Sequence, residues 1–558
     1  MKKLQLVLFV LTSYFGFSQN ANEALVAFHK NTFPEAKLTI LSPKVTVAFA
    51  YSYANFSFIE SENGTIVIDT GWFPGEAKKA FEEYQKINDK PIIAIIYTHL
   101  HPDHYGGSTY LASLTEKNIQ IIAPKGWQNW LNYQNSPIQP MVIKRGYSQM
   151  GVLLPLGDKG TVGAAVGISP RINGRAEIKF PNTVIDKETT IKIDGITLQL
   201  IPSSGDLKEN LMIWLPEDKV LFGGDIIGGT FPYIETARFE LERDPEDFIH
   251  SITKSLALEP AFVVGGHGRI LKGREDVLDV LSSNIDLIQF MINQLDRAVV
   301  KGWTADQVID NLKLPKALEN HKDLQAHYHK ISWIIRQMHV KRVGFFQNIN
   351  DLSKKTASYE NKKLMQLIGG EQKVLEAIQK AYVDEEYAWA ASLADKLLSV
   401  NPTNEEAITY QNKAFLQIAR KTISANERNY LLSHLKKEIP WQKIYANTIK
   451  QFLTRSSVSK IIKKLESQVI PENTENLNLN VQFKVDGKIQ NTIVRNNILV
   501  LTKKESNPDL VITLNKADLI AIVIHKTTWN RLLTAKNITI LKGENHFVPF
   551  TQIFETAY

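Results

Sequence analysis

The spacing of apolar residues changes twice along the chain, and each change marks a different kind of structure. In the first part, short apolar runs alternate with turn residues, as at 56–59, 65–68, 91–97 and 191–201. Runs of this length bounded by turns indicate strands, and helical stretches such as 75–87 lie between them. The pattern predicts a domain of mixed strands and helices that ends near residue 275.

From residue 274 the apolar positions recur with the period of a helix. Val277, Leu281, Ile288 and Leu295 fall on one face, and similar patterns continue to about residue 438. Residues 381–419 resemble one tetratricopeptide-type helical hairpin. Because a solenoid needs at least about three such repeats, the pattern predicts an all-helical domain over 276–440 and not a repeat array.

In the last part of the chain, apolar residues recur at every second position, which is the period of a strand. The alternation through Val481, Phe483 and Val485 ends at Asp486-Gly487, which is typical of a two-residue hairpin turn. Strand patterns at 498–502 and 510–514 and helical patterns at 518–523 and 529–533 complete a small α+β domain over 441–558. Its apolar residues either pack a solid core or leave a cleft that holds a hydrocarbon tail.

The N-terminus has the three parts of an export signal. Lys2 and Lys3 precede an apolar run over 4–15, and Gly16-Phe17-Ser18 supplies a small-x-small triplet. The apolar run is shorter than the roughly 20 residues that span a bilayer. We therefore predict that residues 1–18 are removed, that the first domain covers 19–275, and that the protein is periplasmic or secreted without a stable membrane span.

The composition limits the kinds of binding and catalysis that the protein can perform. The chain has 558 residues, of which 44% are hydrophobic and 22% charged, as in folded multidomain proteins. The net charge of +7 is small for this length and gives little support for nucleic-acid binding. The absence of cysteine excludes disulfides, thiol nucleophiles and thiolate zinc sites, so any metal must be held by His, Asp or Glu.

One segment concentrates such ligands. His99-Leu100-His101-Pro102-Asp103-His104 places four potential ligands directly after the strand predicted at 91–97. On an extended chain, His99 and His101 project to the same side and can share a metal, whereas Asp103 and His104 follow the bend at Pro102 and can turn toward a second. The segment predicts two metal ions side by side.

This His-x-His-x-Asp-His signature resembles that of the metallo-β-lactamase superfamily. Asp69-Thr70-Gly71, Gly223-Gly224-Asp225 and Gly266-His267-Gly268 resemble the remaining motifs of the superfamily and occur in the same order. The resemblance implies an αβ/βα sandwich in which Asp69 supports the ligands from behind, Asp225 bridges the two metals and His267 completes the second.

A carboxylate replaces the third histidine of ordinary members. Counting back ten residues from Pro216 gives Asp206, and this exchange resembles the alkyl sulfatase branch, where Glu is usual. Glu209 is the alternative ligand if the register differs. Residues 141–151 also resemble that branch, the helical domain resembles its dimerisation domain, and the last domain resembles a sterol-carrier-protein module. Gly344-Phe345-Phe346 departs from the branch's pattern.

The alkyl sulfatase resemblance implies a hydrolase of alkyl sulfate esters that releases an alcohol and inorganic sulfate. Asp103 would orient the attacking water, Arg238 would bind the sulfate, and the helical domain would form a homodimer. The implied cofactor is two Zn²⁺ ions, although Mn or Fe would accept the same ligand types. The ligands would be His99, His101 and Asp206 for the first metal, Asp103, His104 and His267 for the second, and Asp225 between them.

Alternative interpretations remain at this stage. The same fold could hydrolyse a phosphate ester or a lactone, or the protein could be a lipid carrier with a degenerate metal site. Trp127 and Trp130 either wall an alkyl pocket or pack in the core. Histidines of the helical domain are expected in surface or capping positions, namely His321, His327, His329 and His339.

Overall fold

The computed structural model of the protein describes most of the chain. The described ranges are 20–115, 118–134, 136–172, 174–228, 230, 234–238, 243–436, 439–475, 477–503 and 507–557. The predicted export signal at 1–18 lies outside them. Within these ranges, no helix combines the length and apolar character needed to cross a bilayer.

The first part of the chain folds as two sheets packed face to face with helices outside. Seven strands follow one another in sequence order in the first sheet, and the second sheet has the order β13-β12-β11-β10-β9-β8. The strands of the first sheet are β1 (Lys37–Ile40), β2 (Val45–Phe49), β3 (Phe56–Glu60), β4 (Thr65–Ile68), β5 (Ile92–Ile96), β6 (Gln120–Pro124) and β7 (Thr183–Ile185). Those of the second are β8 (Thr189–Ile193), β9 (Ile196–Ser203), β10 (Asn210–Leu215), β11 (Val220–Gly224), β12 (Phe262–Gly265) and β13 (Leu271–Lys272).

In the described part of this region, seven helices accompany these sheets. They are α1 (Glu23–Thr32), α2 (Pro74–Tyr84), α3 (Pro102–Tyr105), α4 (Ser108–Ser113), α5 (Trp127–Gln134), α6 (Gln139–Gln149) and α7 (Pro245–Ala257). The core between the sheets is formed by Ile66 and Ile96 of the first sheet and Leu200, Ile213 and Phe222 of the second, all fully or almost fully buried. This interior fixes the ends of β5, β9 and β11, from which the candidate ligands project.

The apolar run at 191–201 is not a single strand as predicted. It forms the hairpin β8–β9, in which Ile193 pairs with Ile196 across Asp194-Gly195. Both turn residues have positive φ, at 42° and 86°, as a two-residue hairpin turn requires. The signal was present in the sequence, since these two residues shift the apolar alternation by one position.

The middle part is entirely helical, as predicted. Its longest helix, α8, buries Val277, Leu281, Ile288 and Leu295 along one face. The α helices are α8 (Arg274–Val300), α9 (Ala305–Asn311), α10 (Lys316–Glu319), α11 (Ile331–Val343), α12 (Ala357–Ile368), α13 (Glu371–Val383), α14 (Tyr387–Leu398), α15 (Glu405–Lys421) and α16 (Ala425–Leu435). Short 3₁₀ helices occur at Lys322–Leu324 and Ile349–Leu352.

The last part is a five-stranded sheet with helices. The strand order is β16-β15-β14-β17-β18, with β14 (Leu479–Val485), β15 (Lys488–Arg495), β16 (Ile498–Thr502), β17 (Leu510–Leu514) and β18 (Thr539–Lys542). The helices are α17 (Trp441–Arg455), α18 (Val458–Glu466), α19 (Lys516–Val523), α20 (Trp529–Thr534) and α21 (Glu544–Thr551), with a 3₁₀ helix at Pro471–Thr474. The predicted multidomain class of sandwich, helical domain and α+β domain is confirmed.

Aromatic rings occupy the centre of the last part, and a cavity of about 380 Å³ lies beside them, lined by Ile470, Ile522, Trp529 and Phe554 among others. Phe483, Trp529, Phe550 and Phe554 pack against one another with ring centres 5.2 to 6.2 Å apart. Helix α17 packs against α19 of the last part and against α5 and α6 of the first part. This region contributes to the functional site through α17 and through Lys526, between α19 and α20.

Candidate metal centre and substrate pocket

The ligand-rich segment begins where strand β5 ends at the edge of the first sheet. His99 and His101 lie on extended chain, and Pro102 then starts the short helix α3, which carries Asp103 and His104. All four side chains are buried. The local sequence thus places two ligands before a bend and two after it.

The structure brings seven predicted site residues into one buried cluster. They form two groups whose candidate ligand atoms lie within 4.8 Å of one another, namely His99, His101, Asp206 and Asp225, and Asp103, His104 and His267. In the first group, Nδ1 of His101 is 2.8 Å from Oδ2 of Asp206, and Nε2 of His99 is 3.7 Å from the other oxygen. In the second, Nε2 of His267 is 3.3 Å from Oδ2 of Asp103.

Asp225 lies between the two groups. One of its oxygens is 3.3 Å from Nε2 of His104, and the other is 3.3 Å from Nε2 of His267 and 3.8 Å from Nε2 of His99. Gly266 allows this approach, because a Cβ there would come within 2.1 Å of an Asp225 oxygen. The carboxylate is in a position to contact ions held by either group.

The donor set fits divalent metal ions. Oδ1 of Asp206 is buried without a hydrogen-bond partner among the described residues, and Oδ1 of Asp225 and Nε2 of His104, which lie 3.3 Å apart, do not meet the geometry of a hydrogen bond. Buried polar atoms are seldom left unsatisfied, and His nitrogens with carboxylate oxygens are common ligands of zinc and related metals. We therefore assign the cluster to divalent metal binding.

Glu209, the alternative to Asp206, points elsewhere. Its Oε1 accepts a hydrogen bond of 2.9 Å from Nδ2 of Asn129, and its side chain lies against Gly126. Asp206 is 1% exposed and contacts His101. The geometry thus favours Asp206 over Glu209 at this position.

The histidines of the second group carry protons in the metal-free cluster. Burial would lower the pKa of His267, but the nearby carboxylates of Asp225 and Asp103 raise it to about 9. His104 is equally buried, yet Asp225 and Asp69 hold its pKa well above the usual value. In the metal-free protein, these two imidazolium groups supply the positive charge that bound metal ions would otherwise supply.

The carboxylates of the cluster have lowered pKa values, in contrast to the two histidines. Burial opposes ionisation of Asp103, but His104 and His267 hold its pKa below the usual range. Asp225 behaves in the same way through His267 and His104. Both carboxylates are therefore ionised and available as ligands.

Hydrogen bonds to the ring nitrogens that face away from the cluster orient the candidate histidine ligands. Oδ2 of Asp69 lies 2.8 Å from Nδ1 of His104 and accepts a bond of 2.8 Å from the hydroxyl of Thr98, whose backbone N–H donates to Oδ1. Nδ1 of His267 lies 3.1 Å from the backbone oxygen of Tyr53. Such contacts fix which ring nitrogen faces the cluster.

Beside the cluster is a small inner chamber with two arginines. Its lining comprises Tyr53, Asp103, Asp206, Asp225, Arg238, Arg243, His267 and Tyr328. Arg238 was predicted from the sequence. Arg243 was not, although it is 4% exposed and one of its terminal nitrogens lies 3.4 Å from Oδ2 of Asp206. No spacing or motif in the sequence distinguishes it from a surface arginine.

An apolar pocket of about 420 Å³ leads away from the cluster. Its inner end is formed by His101, Asp103 and Arg238. Trp130 forms part of a wall, with its ring centre 4.8 Å from that of His101. Trp127 does not line the pocket and packs against Phe180 instead.

Two helices from distant parts of the sequence complete the pocket. Helix α6 contributes Ile143 and Tyr147, and helix α17 contributes Ile444, Thr448 and Phe452. The sequence did not indicate that α17 reaches the site. The pocket thus joins a charged, ligand-rich end to an apolar channel.

Three histidines of the helical part bond to neighbouring backbone or to a carboxylate. His321 caps a 3₁₀ helix by accepting from the N–H of Asp323 and lies 3.2 Å from Asp279. Nε2 of His339 lies 2.8 Å from the backbone oxygen of Trp303, and His327 stacks on a phenylalanine ring. These are structural contacts outside the metal cluster. His321 has the expected capping role, but the surface positions expected for the others are wrong, because His327, His329 and His339 are buried.

Comparison with known proteins identifies three regions. The family model described as the metallo-beta-lactamase superfamily matches residues 52–267, that for alkyl sulfatase dimerisation matches 304–438, and that for the alkyl sulfatase C-terminal domain matches 448–557. The three matched regions correspond to the sandwich, the helical part and the α+β part of the structure, in that order.

Sequence comparison with individual proteins supports the same family. The chain is 30% identical to a linear primary-alkylsulfatase of Pseudomonas sp. over 388 residues, which is 68% of this chain and 73% of that protein. It is 23% identical to the alkyl/aryl-sulfatase BDS1 of Saccharomyces cerevisiae over 526 residues, 90% of this chain and 80% of that one.

A solved structure has the same fold. The sec-alkylsulfatase Pisa1 from Pseudomonas sp. superposes with a TM-score of 0.81 at 21% identity, covering 96% of this chain and 87% of that one. The resemblance noted in the sequence is confirmed: the chain belongs to the alkyl sulfatase branch of the metallo-β-lactamase superfamily.

Proposed function

We propose that the protein is a binuclear zinc hydrolase of alkyl sulfate esters, releasing an alcohol and inorganic sulfate. The observation that carries the proposal is the apolar pocket whose inner end is formed by His101, Asp103 and Arg238. A substrate with an anionic head and an alkyl tail matches this distribution of charge. Membership of the family and the names of its relatives support the same reaction.

His99, His101 and Asp206 would hold one zinc ion, Asp103, His104 and His267 the other, and Asp225 would bridge them. Bound metals would activate a water near neutral pH and neutralise charge on the ester oxygens. Two such ions carry four positive charges, and the three aspartates remove three. The remaining charge of about +1, before the activated hydroxide is counted, favours an anionic substrate.

The protein's own groups orient the reactants. Asp103 lines both the pocket and the inner chamber, where its carboxylate orients the attacking water. Arg238 and Arg243 face the chamber and bind the sulfate oxygens, for which a planar cation with several N–H donors is suited. Tyr53 stays protonated, because burial raises the pKa of its hydroxyl well above the usual value, so it can donate to the same anion.

The alkyl tail would lie in the apolar pocket between α6 and α17. Each CH₂ group transferred from water to such surroundings contributes about 0.8 kcal/mol. The pocket excludes water from the tail, while the ester oxygen remains beside Asp103. Selectivity for an apolar alcohol follows from this arrangement.

The test of the proposal is a comparison of esters with one tail and different heads. Zinc-loaded protein is incubated with dodecyl sulfate, dodecyl phosphate and a long-chain lactone, and the free acid or anion is quantified. We expect hydrolysis of the sulfate at least about a hundredfold faster than of the others, abolished in Asp225→Asn. Preferred cleavage of the phosphate or the lactone would overturn the proposal.

The role of Arg238 has its own test. Arg238→Lys keeps the charge but removes the planar fork, so KM for dodecyl sulfate should rise while bound metal stays constant. Unchanged KM and kcat would remove Arg238 from the site.

We also propose a homodimer formed through the helical part. Several large apolar side chains are exposed on it, with Phe345 75%, Ile349 72% and Leu367 85% exposed. Leu367→Glu should shift the sedimenting species from dimer to monomer, whereas Ile40→Glu, at an exposed apolar position of the first sheet, should not. Wild-type protein that sediments only as monomer at micromolar concentration would refute the dimer.

Export is proposed on the sequence of residues 1–18 alone. Expression of the full chain followed by mass measurement of the mature protein tests it. Loss of these residues together with recovery outside the cytoplasm is the expected result, and an uncleaved cytoplasmic protein would contradict it.

A further inference from the structure

The outer end of the apolar pocket, which we call the mouth, is formed by those pocket-lining residues that are exposed to solvent. They are Ile172, Gly174, Arg175, Asn447, Lys450 and Lys526. Three of the six carry a positive charge, and none is a carboxylate. The mouth brings together the connection between α6 and β7, helix α17 and the connection between α19 and α20.

The two lysines supply most of the positive charge at the mouth. Within the described part of the chain, neither Lys450 nor Lys526 forms an ion pair with a carboxylate. Arg175 differs, because its Nε lies 3.3 Å from Oε1 of Glu177. An exposed cation that is not paired within the protein attracts external anions, and this attraction is screened by salt.

Helix α17 extends the positive charge beyond the mouth. Lys443, Asn447, Lys450 and Thr454 are all exposed. They follow one another at intervals of three or four residues, so they share one face of the helix. Because Asn447 and Lys450 line the mouth, Lys443 lies on the same side of α17 as the pocket opening.

The three segments that form the mouth contain no carboxylates. Residues 159–176, 439–465 and 519–543 include thirteen Lys and Arg residues and no Asp or Glu, although Asp and Glu together number 58 in the 558-residue chain. These segments supply all six residues of the mouth. Separation of charge on this scale gives a positive potential over the surface around the pocket opening.

An exposed apolar side chain lies among these charges. Ile172 is 54% exposed at the mouth. Protein surfaces that bind anionic bilayers combine basic residues with apolar side chains that enter the boundary between headgroups and acyl chains. The mouth has both features.

The direction of the pocket also fits a bilayer surface. Its charged end, with His101, Asp103 and Arg238, is innermost, so an anionic amphiphile has to enter head first. The head is the part of an amphiphile that a bilayer presents to the surrounding water. A pocket opening placed on the bilayer surface therefore meets the head before the tail.

We propose that the mouth and the exposed face of α17 dock on a bilayer surface that carries anionic headgroups. Lys443, Lys450 and Lys526 attract the headgroups, and Ile172 enters the boundary with the acyl chains. An alkyl sulfate dissolved in the bilayer then passes head first into the pocket without crossing bulk water. This last step rests on the proposed function, whereas the docking depends only on the charge and polarity of the surface.

Vesicle binding tests the proposal with the full chain and without turnover. Protein is sedimented with vesicles of phosphatidylcholine alone and of phosphatidylcholine with about 30% phosphatidylglycerol, at about 50 mM and about 500 mM NaCl. At low salt, we expect the partition coefficient for the anionic vesicles to exceed that for the neutral vesicles at least about tenfold. The difference should disappear at high salt, because exposed charges are then screened.

Two pairs of lysines identify the face that docks. Lys443→Glu with Lys450→Glu should weaken binding to the anionic vesicles at least about tenfold, since each basic residue near such a surface strengthens binding about fivefold. Lys37→Glu with Lys192→Glu is the matched control. It reverses two exposed lysines of β1 and β8 that do not line the pocket, and should change binding less than about twofold.

Equal binding to neutral and anionic vesicles, or equal losses from the two lysine pairs, would overturn the proposal. No binding to the anionic vesicles would also overturn it, and a salt-dependent KM for dodecyl sulfate would then show that the lysines attract only single anionic molecules. If the α17 pair does not fold, Lys526→Glu decides alone: unchanged binding would overturn the inference, and binding at least about threefold weaker would uphold it.

Failure of the proposed function is recognised separately. A protein that docks on anionic vesicles but releases no sulfate from any alkyl ester fails only in its proposed reaction. A protein that releases sulfate but binds anionic and neutral vesicles equally fails only in the docking.

Discussion

Oδ2 of Asp206 lies 2.8 Å from Nδ1 of His101. The two residues come from different sheets, because His101 follows β5 and Asp206 follows β9. The resemblance noted in the sequence implies that this carboxylate replaces a third histidine of ordinary superfamily members, and we propose that it binds metal there. A negatively charged ligand there lowers the net charge of the site.

Replacing this carboxylate should release metal. We expect Asp206→Ala to lose about half of the bound zinc after dialysis, because one ion loses a ligand. Glu209→Ala removes a carboxylate three residues away that bonds Asn129 and should retain all of it. Metal content by mass spectrometry checks both, and loss from Glu209→Ala alone would reverse the assignment.

Metal binding should release protons near neutral pH. Asp225 and Asp103, opposing burial, raise the pKa of His267 to about 9, and His104 is likewise protonated in the metal-free protein. Ligation requires neutral imidazole, so zinc must displace these protons. Adding zinc to chelated protein at pH 7 in weak buffer should liberate about two protons per molecule from these histidines, in addition to the proton of the water that the metals activate.

Proton release measured with a pH indicator should be lower by about one proton in His267→Gln. Release of no protons by the wild-type protein would show that the two histidines are neutral before metal binds.

Glu76 should make stability depend on pH. It is 8% exposed, and burial raises its pKa from 4.5 to about 7, even though Ser52 donates a hydrogen bond to it. Between these values the folded protein retains a proton that the unfolded chain has released, so stability falls as pH rises from 4.5 through 7. Glu76→Gln lacks this titration.

The comparison is made at pH 5.5 and pH 8. Relative to wild type, Glu76→Gln should gain about 2 kcal/mol in unfolding free energy on going from pH 5.5 to pH 8, since each pKa unit corresponds to about 1.4 kcal/mol. Glu82→Gln, on the same helix but exposed, should show no such gain. An equal difference between wild type and Glu76→Gln at both pH values would contradict the raised pKa.

Filling the outer pocket should shorten the preferred substrate. Thr448 lines the pocket from α17, so Thr448→Phe should raise KM for dodecyl sulfate at least about tenfold and change that for hexyl sulfate little. Thr454→Phe places the same ring at an exposed position of the same helix and should leave both unchanged. A uniform rise for all chain lengths would indicate a distorted site instead of a blocked channel.

Much of the fold followed from local patterns. The helical face of α8 and the hairpin at Asp486-Gly487 depend on spacing within a few residues, and the structure has both, with φ of 46° and 77° in the turn. The hairpin at Asp194-Gly195 was missed because the apolar run on both sides masked the change in alternation.

The candidate site likewise contains some residues that local sequence patterns reveal and others that they do not. His99, His101, Asp103 and His104 are close in sequence and were found from spacing alone. Arg243 and Tyr328 reach the inner chamber from two separate regions, and no local pattern marks them. Only tertiary packing determines that they meet.

The central claim is that metal ions in this cluster enable the release of sulfate from an alkyl ester. The most direct measurement is ion-chromatographic quantification of sulfate from dodecyl sulfate, with chelated protein and with the same protein after zinc is returned. The account predicts no release by chelated protein above the protein-free rate and restored turnover with zinc. Sulfate release that is the same with and without metal, or absent in both while dodecyl sulfate still binds, would contradict it.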